Sequence, residues 1–145
     1  MEIYTIGFAG KSAETFFGLL RQAHIQRLID IRLNNTSQLA GFTKAENLPF
    51  FLREILKADY VHDLSLAPTP EILKDYKKDK SVWQKFERDF LALLKKRSVA
   101  KNLDRHLFDV PAVLLCSEPK PDHCHRRILS EYLRDHWRNV KIIHL

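Results

Sequence analysis

Apolar positions along this chain fall into short extended runs separated by helical stripes. Ile3-Tyr4-Thr5-Ile6-Gly7 is β-branched and aromatic and closes on glycine, which predicts a first strand. In Ser12-Ala13-Glu14 and the residues after it, Phe16, Phe17, Leu19, Leu20 and Ala23 recur at helical spacing, with Ser12 placed to cap that helix. Arg27 to Arg32 reads as a second strand, followed by a polar, turn-prone loop from Leu33 to Phe42. Asn47-Leu48-Pro49 opens a helix through about Ala58, and Asp59 to Leu64 is a short third strand. Thr69-Pro70-Glu71 begins another helix, because proline suits the first helical position. The charged segment after it interrupts the pattern. Ser81 then caps a longer amphipathic helix carrying Trp83, Phe86, Phe90, Leu93 and Leu94. A basic link from Lys95 to Arg105 leads to a fourth strand, Val113 to Cys116. A last helix from about His123 to Trp137, with Asp122 as its cap, precedes a fifth strand, Val140 to His144.

Strand and helix alternate throughout, which predicts an α/β fold. The expected form is a single-domain layered sandwich over residues 1–145, with a mainly parallel, Rossmann-like sheet of about five strands flanked by helices. At 145 residues the chain can bury a core without disulfide staples. No apolar run approaches the roughly 18 residues of a membrane span, so no membrane partner is expected. The start, MEIYTIG, lacks the basic region of a signal peptide. With two cysteines, this places the protein in a reducing cytoplasm with free thiols. The net charge of +6 favours an anionic partner, either a small molecule or nucleic acid. The runs Lys77-Lys78, Lys80 and Lys95-Lys96-Arg97 read as solvated helix faces.

Ligands of open parallel sheets bind beyond the carboxyl ends of the strands. That rule gathers Gly7, Asp30, Arg32, His62, Cys116 and Glu118, with Cys124, His125 and Arg126 in the first turn of the last helix. A helix N-terminus and cationic neighbours favour a thiolate at Cys124; the alternative is a cysteine half-buried behind a basic cap. Cys116, ending an apolar strand, reads as an inert small hydrophobe. Asp30 and Glu118 are candidate acid–base groups, or else parts of an ion-pair network with Arg32 and Arg126. A phosphatase-like loop does not fit, because Cys116 has no arginine before Arg126 and those after Cys124 follow immediately. No C-x-x-C is present, although the loop between the cysteines could let them meet in a disulfide. Cys116, Glu118, Cys124 and a histidine are legitimate metal ligands, but their spacing matches no zinc knuckle, and no metal site or cofactor is assigned. Gly7 to Ser12 imitates the end of a phosphate-binding loop without its full signature, leaving a strand–helix turn whose N–H groups could face the site.

Thr5-Ile6-Gly7, Asp30-Ile31-Arg32, Ser37, Leu114-Leu115-Cys116-Ser117-Glu118 and Cys124-His125-Arg126-Arg127 together resemble the DUF488 family, a domain of unknown function. The resemblance covers nearly the whole chain. Many members carry His-Ser after the first motif where this chain has Phe8-Ala9, so no role for a histidine there carries over. The resemblance implies an α/β fold and a suspected active site, but no reaction. The expectation is a small enzyme acting on a phosphorylated or nucleotide-like anion. Cys124, Asp30 and Glu118 would be catalytic, and Arg32, Arg126, Gly7, Ser37, Cys116 and His125 would bind substrate. The rivals are a non-catalytic nucleic-acid-binding module and a metal-binding protein.

Overall fold

In the computed structural model, which describes residues 1–36 and 40–145, one sheet runs through the chain. Ser37, expected at the site, lies outside the described residues. The elements are β1 (Glu2–Gly7), α1 (Ala13–Gln22), β2 (Arg27–Asp30), α2 (Leu48–Phe51), β3 (Asp59–His62), α3 (Pro70–Lys78), α4 (Trp83–Lys96), α5 (Val99–Asn102), β4 (Ala112–Cys116), α6 (His125–His136) and β5 (Lys141–His144). All strand pairs are parallel and the order is β3-β2-β4-β1-β5. β4 is therefore central, and every one of its residues is buried. Burial on both faces is why it reads as an unbroken apolar run rather than an alternating one.

The two faces carry separate cores. Ala112, Leu114 and Cys116 pack with Phe86, Phe90 and Leu94 of α4 and Leu129 and Leu133 of α6. Val113 and Leu115 pack with Phe16 and Leu20 of α1 and with Leu48 and Leu52. Thus β1 and β2 lead into helices on one face, whereas β4, lying between them, leads into α6 on the other. Connections diverging to opposite faces leave a crevice beyond the carboxyl ends of the strands, and Cys116 ends the strand at its middle.

The expected cap at Ser12 holds, and Thr69, for which no cap was expected, also caps its helix. Ser12 accepts from the N–H of Thr15 at 3.1 Å, and Thr69 accepts from the N–H of Ile72 at 3.2 Å ahead of Pro70. Several other boundaries differ for local reasons. Asp79, not Ser81, caps the turn into α4, because its carboxylate accepts both the N–H and the hydroxyl of Ser81 at 3.0 and 2.6 Å. Asp122 does not cap α6; Cys124 occupies that extended position and no side chain caps the helix. The third strand stops at His62, since Asp63 turns the chain by accepting from the N–H of Ser65. The helix through residues 48–56 changes to a π-turn over Leu52–Leu56 and ends on left-handed Lys57. The basic link is not open coil: α4 runs to Lys96, and buried Val99 and Leu103 anchor α5. Among the described residues no helix is long and apolar enough to cross a membrane.

Candidate functional site

The end of β4 is shaped by its neighbours on either side. Gly7 of β1 lies opposite Cys116, and a Cβ there would sit 1.6 Å from the carbonyl oxygen of Glu118 and 2.8 Å from Nη1 of Arg126. Glycine is required because the loop after β4 folds directly over this position. Arg126, fully buried on α6, fastens that loop by donating from Nη1 to the Glu118 carbonyl at 2.6 Å and from Nη2 to the Pro119 carbonyl at 3.4 Å. The N–H groups of Phe8 and Ala9 donate to the carbonyls of Cys116 and Ser117, so the turn after β1 is tied to this loop rather than presented to a ligand.

Beneath the loop, the two thiols and one imidazole converge. The Sγ atoms of Cys116 and Cys124 and a ring nitrogen of His125 all lie within 4.8 Å of one another, and all three residues are buried. Cys116 Sγ is 3.1 Å from His125 Nδ1. His125 Nε2 lies 2.8 Å from the carbonyl of Ile31, which can only accept, so Nε2 carries a proton. Phe90 packs edge-on against the ring at 5.3 Å and fixes its plane. Both cysteines are free thiols.

The two sulfurs are not equivalent, and their pKa values shift in opposite directions. Burial pushes the Cys124 thiol well above the ordinary range, and Cys116 beside it, as hydrogen-bond acceptor and negative charge, adds to the rise; only His125 acts the other way. Burial would raise Cys116 too. There, however, the hydrogen bond from Cys124, the N–H of Ser117, the charge of Arg126 and the N–H of Glu118 together hold the thiol below its usual value. Cys116 is therefore the more acidic thiol of the pair and Cys124 the less acidic one. Dipole reasoning at the helix N-terminus omitted the desolvation of a residue left only 2 % exposed.

This cluster forms one end of a cavity of about 150 Å³ lined also by Tyr76, Trp83, Phe86, Leu73 and Pro68, with Lys77, Lys80, His123, Glu118, Arg32 and Asn34 around it. His123 stacks on Trp83 at 5.0 Å. Burial, then the charges of Glu118 and Cys124, raise the pKa of Tyr76, so the phenol stays protonated beside the sulfurs. Sequence reasoning missed Tyr76, Lys77, Lys80 and Trp83. The α3–α4 hairpin brings them to β4 from about forty residues upstream, and their only sequence signal was a lysine run beside core-spaced aromatics.

Both arginines are held by protein groups. Arg32 donates from Nε and Nη2 to the two oxygens of Asp30, both at 2.8 Å, and from Nη2 to the Thr43 carbonyl at 2.6 Å. Its backbone N–H and the hydroxyl of Tyr60 complete the carboxylate's partners, at 3.1 and 2.6 Å. Arg32 lines the cavity, yet this much of its fork is committed to a buried ion pair; Asp30 does not line it. Arg126 is not a lining residue either, and it binds the Glu118 backbone rather than its carboxylate. His62 donates from Nε2 to the Arg32 carbonyl at 2.8 Å and steadies the same segment.

A family model described as "Domain of unknown function DUF488" matches residues 12–133, the greater part of the sequence. The chain belongs to the DUF488 family. No curated protein and no solved structure matches it significantly. Within this DUF488 chain, the matched span holds both cysteines, His125, the Asp30–Arg32 pair and the lysine–aromatic wall.

Proposed function

We propose that this DUF488 chain is a cytoplasmic enzyme that takes a small anionic substrate with an apolar body, and that its reactive centre is the sulfur of Cys116. The observation that carries the reading is the convergence of Cys116, Cys124 and His125 at one end of an aromatic cavity rimmed by Lys77, Lys80 and His123. A buried thiol whose pKa is lowered by Cys124, backbone N–H groups and a nearby guanidinium is prepared for chemistry. Cys124 supplies or takes up the proton beside it, and the rim lysines draw in the anion. Tyr76, Trp83 and Phe86 make the cavity wall apolar where the body of the substrate would lie.

A nucleic-acid surface has less behind it. The aromatics nearest the lysines are buried and packed on one another, with Trp83 stacked on Phe86 at 5.2 Å, rather than displayed for base stacking.

The test uses two alkylating reagents of one size, iodoacetate (anionic) and iodoacetamide (neutral), on reduced, chelator-treated protein. Cys116 is expected to react at pH values where free cysteine is still protonated, and with a higher iodoacetate-to-iodoacetamide rate ratio than free cysteine. The Lys77→Ala/Lys80→Ala double variant should return that ratio to the free-cysteine value. Absence of Cys116 alkylation in the folded protein, or an unchanged ratio in the double variant, sinks the proposal.

A further inference from the structure

We infer that Cys116, Cys124 and His125 bind one zinc-class divalent ion through both Sγ atoms and Nδ1, leaving a fourth coordination position open to the cavity. Its substrate-facing half rests on the proposal above; metal affinity itself does not.

The electron pairs make the case first. The Nε2 proton of His125 is committed to the Ile31 carbonyl, so Nδ1 is the ring atom that faces Cys116 Sγ, at 3.1 Å, and the one with a lone pair to give a metal ion. Cys124 Sγ joins them within 4.8 Å. Three donor atoms that share protons in the free protein can instead close together on one metal ion, releasing the thiol protons. Around a tetrahedral zinc ion, ligand atoms stand about 3.5–3.8 Å apart, given Zn–S near 2.3 Å and Zn–N near 2.0–2.1 Å. The Cys116–His125 separation of 3.1 Å is just under that range, and no pair exceeds 4.8 Å, so side-chain adjustments of about an ångström would close the site.

The donor set and its surroundings select the ion. Two thiolates and an imidazole are soft-to-borderline ligands, suited to zinc and poorly suited to magnesium or calcium. A backbone carbonyl on the distal ring nitrogen is the usual support for a ligating histidine, fixing its tautomer and direction. Here the support is the Ile31 carbonyl, with Phe90 against the ring. Charge balances as well: two thiolates cancel a divalent ion, so the loaded site sets no net cation against Arg126, whose Nη atoms already hold the carbonyls of Glu118 and Pro119. Three protein ligands beside a cavity is the pattern of a catalytic metal site rather than a closed structural one. The open position would face a cavity whose rim carries Lys77 and Lys80.

Cobalt(II) is the probe, added to the reduced, metal-free full chain. One equivalent should give intense visible bands of tetrahedral geometry with sulfur-to-cobalt charge transfer in the near ultraviolet, both abolished by one equivalent of zinc. Cys116→Ser, Cys124→Ser and His125→Gln should each weaken zinc binding at least a hundredfold in competition with a chromophoric chelator. Circular dichroism and urea unfolding of each variant identify any that fail to fold, and the wild-type cobalt spectrum stands without them. No stoichiometric cobalt or zinc binding by wild-type protein at micromolar concentration would overturn the inference, as would binding undiminished in the folded cysteine variants. Failed metal binding with the iodoacetate preference intact overturns the metal site alone. A cobalt spectrum without that preference supports the metal site and removes only the anionic-substrate reading.

Discussion

The carboxylate of Asp30 receives four hydrogen bonds, three from Arg32 and one from the Tyr60 hydroxyl. A group so saturated, at 0 % exposure, has no free lone pair directed at a substrate. Removing one member of a buried ion pair strands the other charge, at a cost of about 3–5 kcal/mol. Asp30→Asn is therefore expected to lower stability by about that amount in urea unfolding, while the rate of Cys116 alkylation in the still-folded fraction stays within about twofold of wild type. A stable variant with a large drop in that rate would restore Asp30 to the chemistry. Tyr60 reports on the same lock. Burial, then its hydrogen bond to Asp30, raises its pKa far above that of a free phenol. The sign follows: once pH exceeds the free phenol value, the unfolded chain releases this proton first, so the contribution is complete below that value and declines above it.

Secondary-structure elements present these residues, and their ends carry much of the local strain. The π-turn after α2 finishes on Lys57 at φ 54, left-handed backbone that glycine adopts freely and lysine does not. Lys57→Gly is expected to raise stability by about 1 kcal/mol, read as a higher urea midpoint with an unchanged slope. A lower midpoint would mean that the lysine side chain contributes more than its backbone costs. The element that matters most for the site is α6, whose N-terminal position is taken by Cys124 instead of a capping oxygen. A stronger capping residue, Asp122, lies two residues earlier. The helix start at the sulfur cluster carries no capping side chain.

At the scale of the whole molecule, one of the two cores supports the site. Phe90 is fully buried between β4 and α6, and it touches both Phe86 and the His125 ring. Phe90→Ala should cost about 3–5 kcal/mol in urea unfolding through lost burial and the cavity left behind. A cost below about 1 kcal/mol would show that this layer collapses freely around the ring and does not hold the imidazole in place. Crossovers of this length also explain why the anion-facing lysines were illegible in the chain. Lys77 and Lys80 are more than thirty residues from Cys116, and only the path from β3 over the sheet to β4 puts them on the same cavity.

Periodicity alone determined the alternation of strands and helices, the α/β class, and the meeting of the Cys116 strand end with the Cys124–Arg126 helix start at the carboxyl edge. Those features are local, and hydrophobic spacing encodes them directly. The strand order, the cavity and the partners of each charge were decided by tertiary structure. Asp30 and Arg32 looked like site residues because their sheet edge is correct, but the loop carrying Thr43 and the hydroxyl of Tyr60 turned them into a buried lock. The relative acidity of the two cysteines was likewise set in three dimensions, by burial, by the contact of Cys124 with Cys116 and by the placement of Arg126. Such terms depend on distance and burial in three dimensions, and the order of residues along a chain specifies neither.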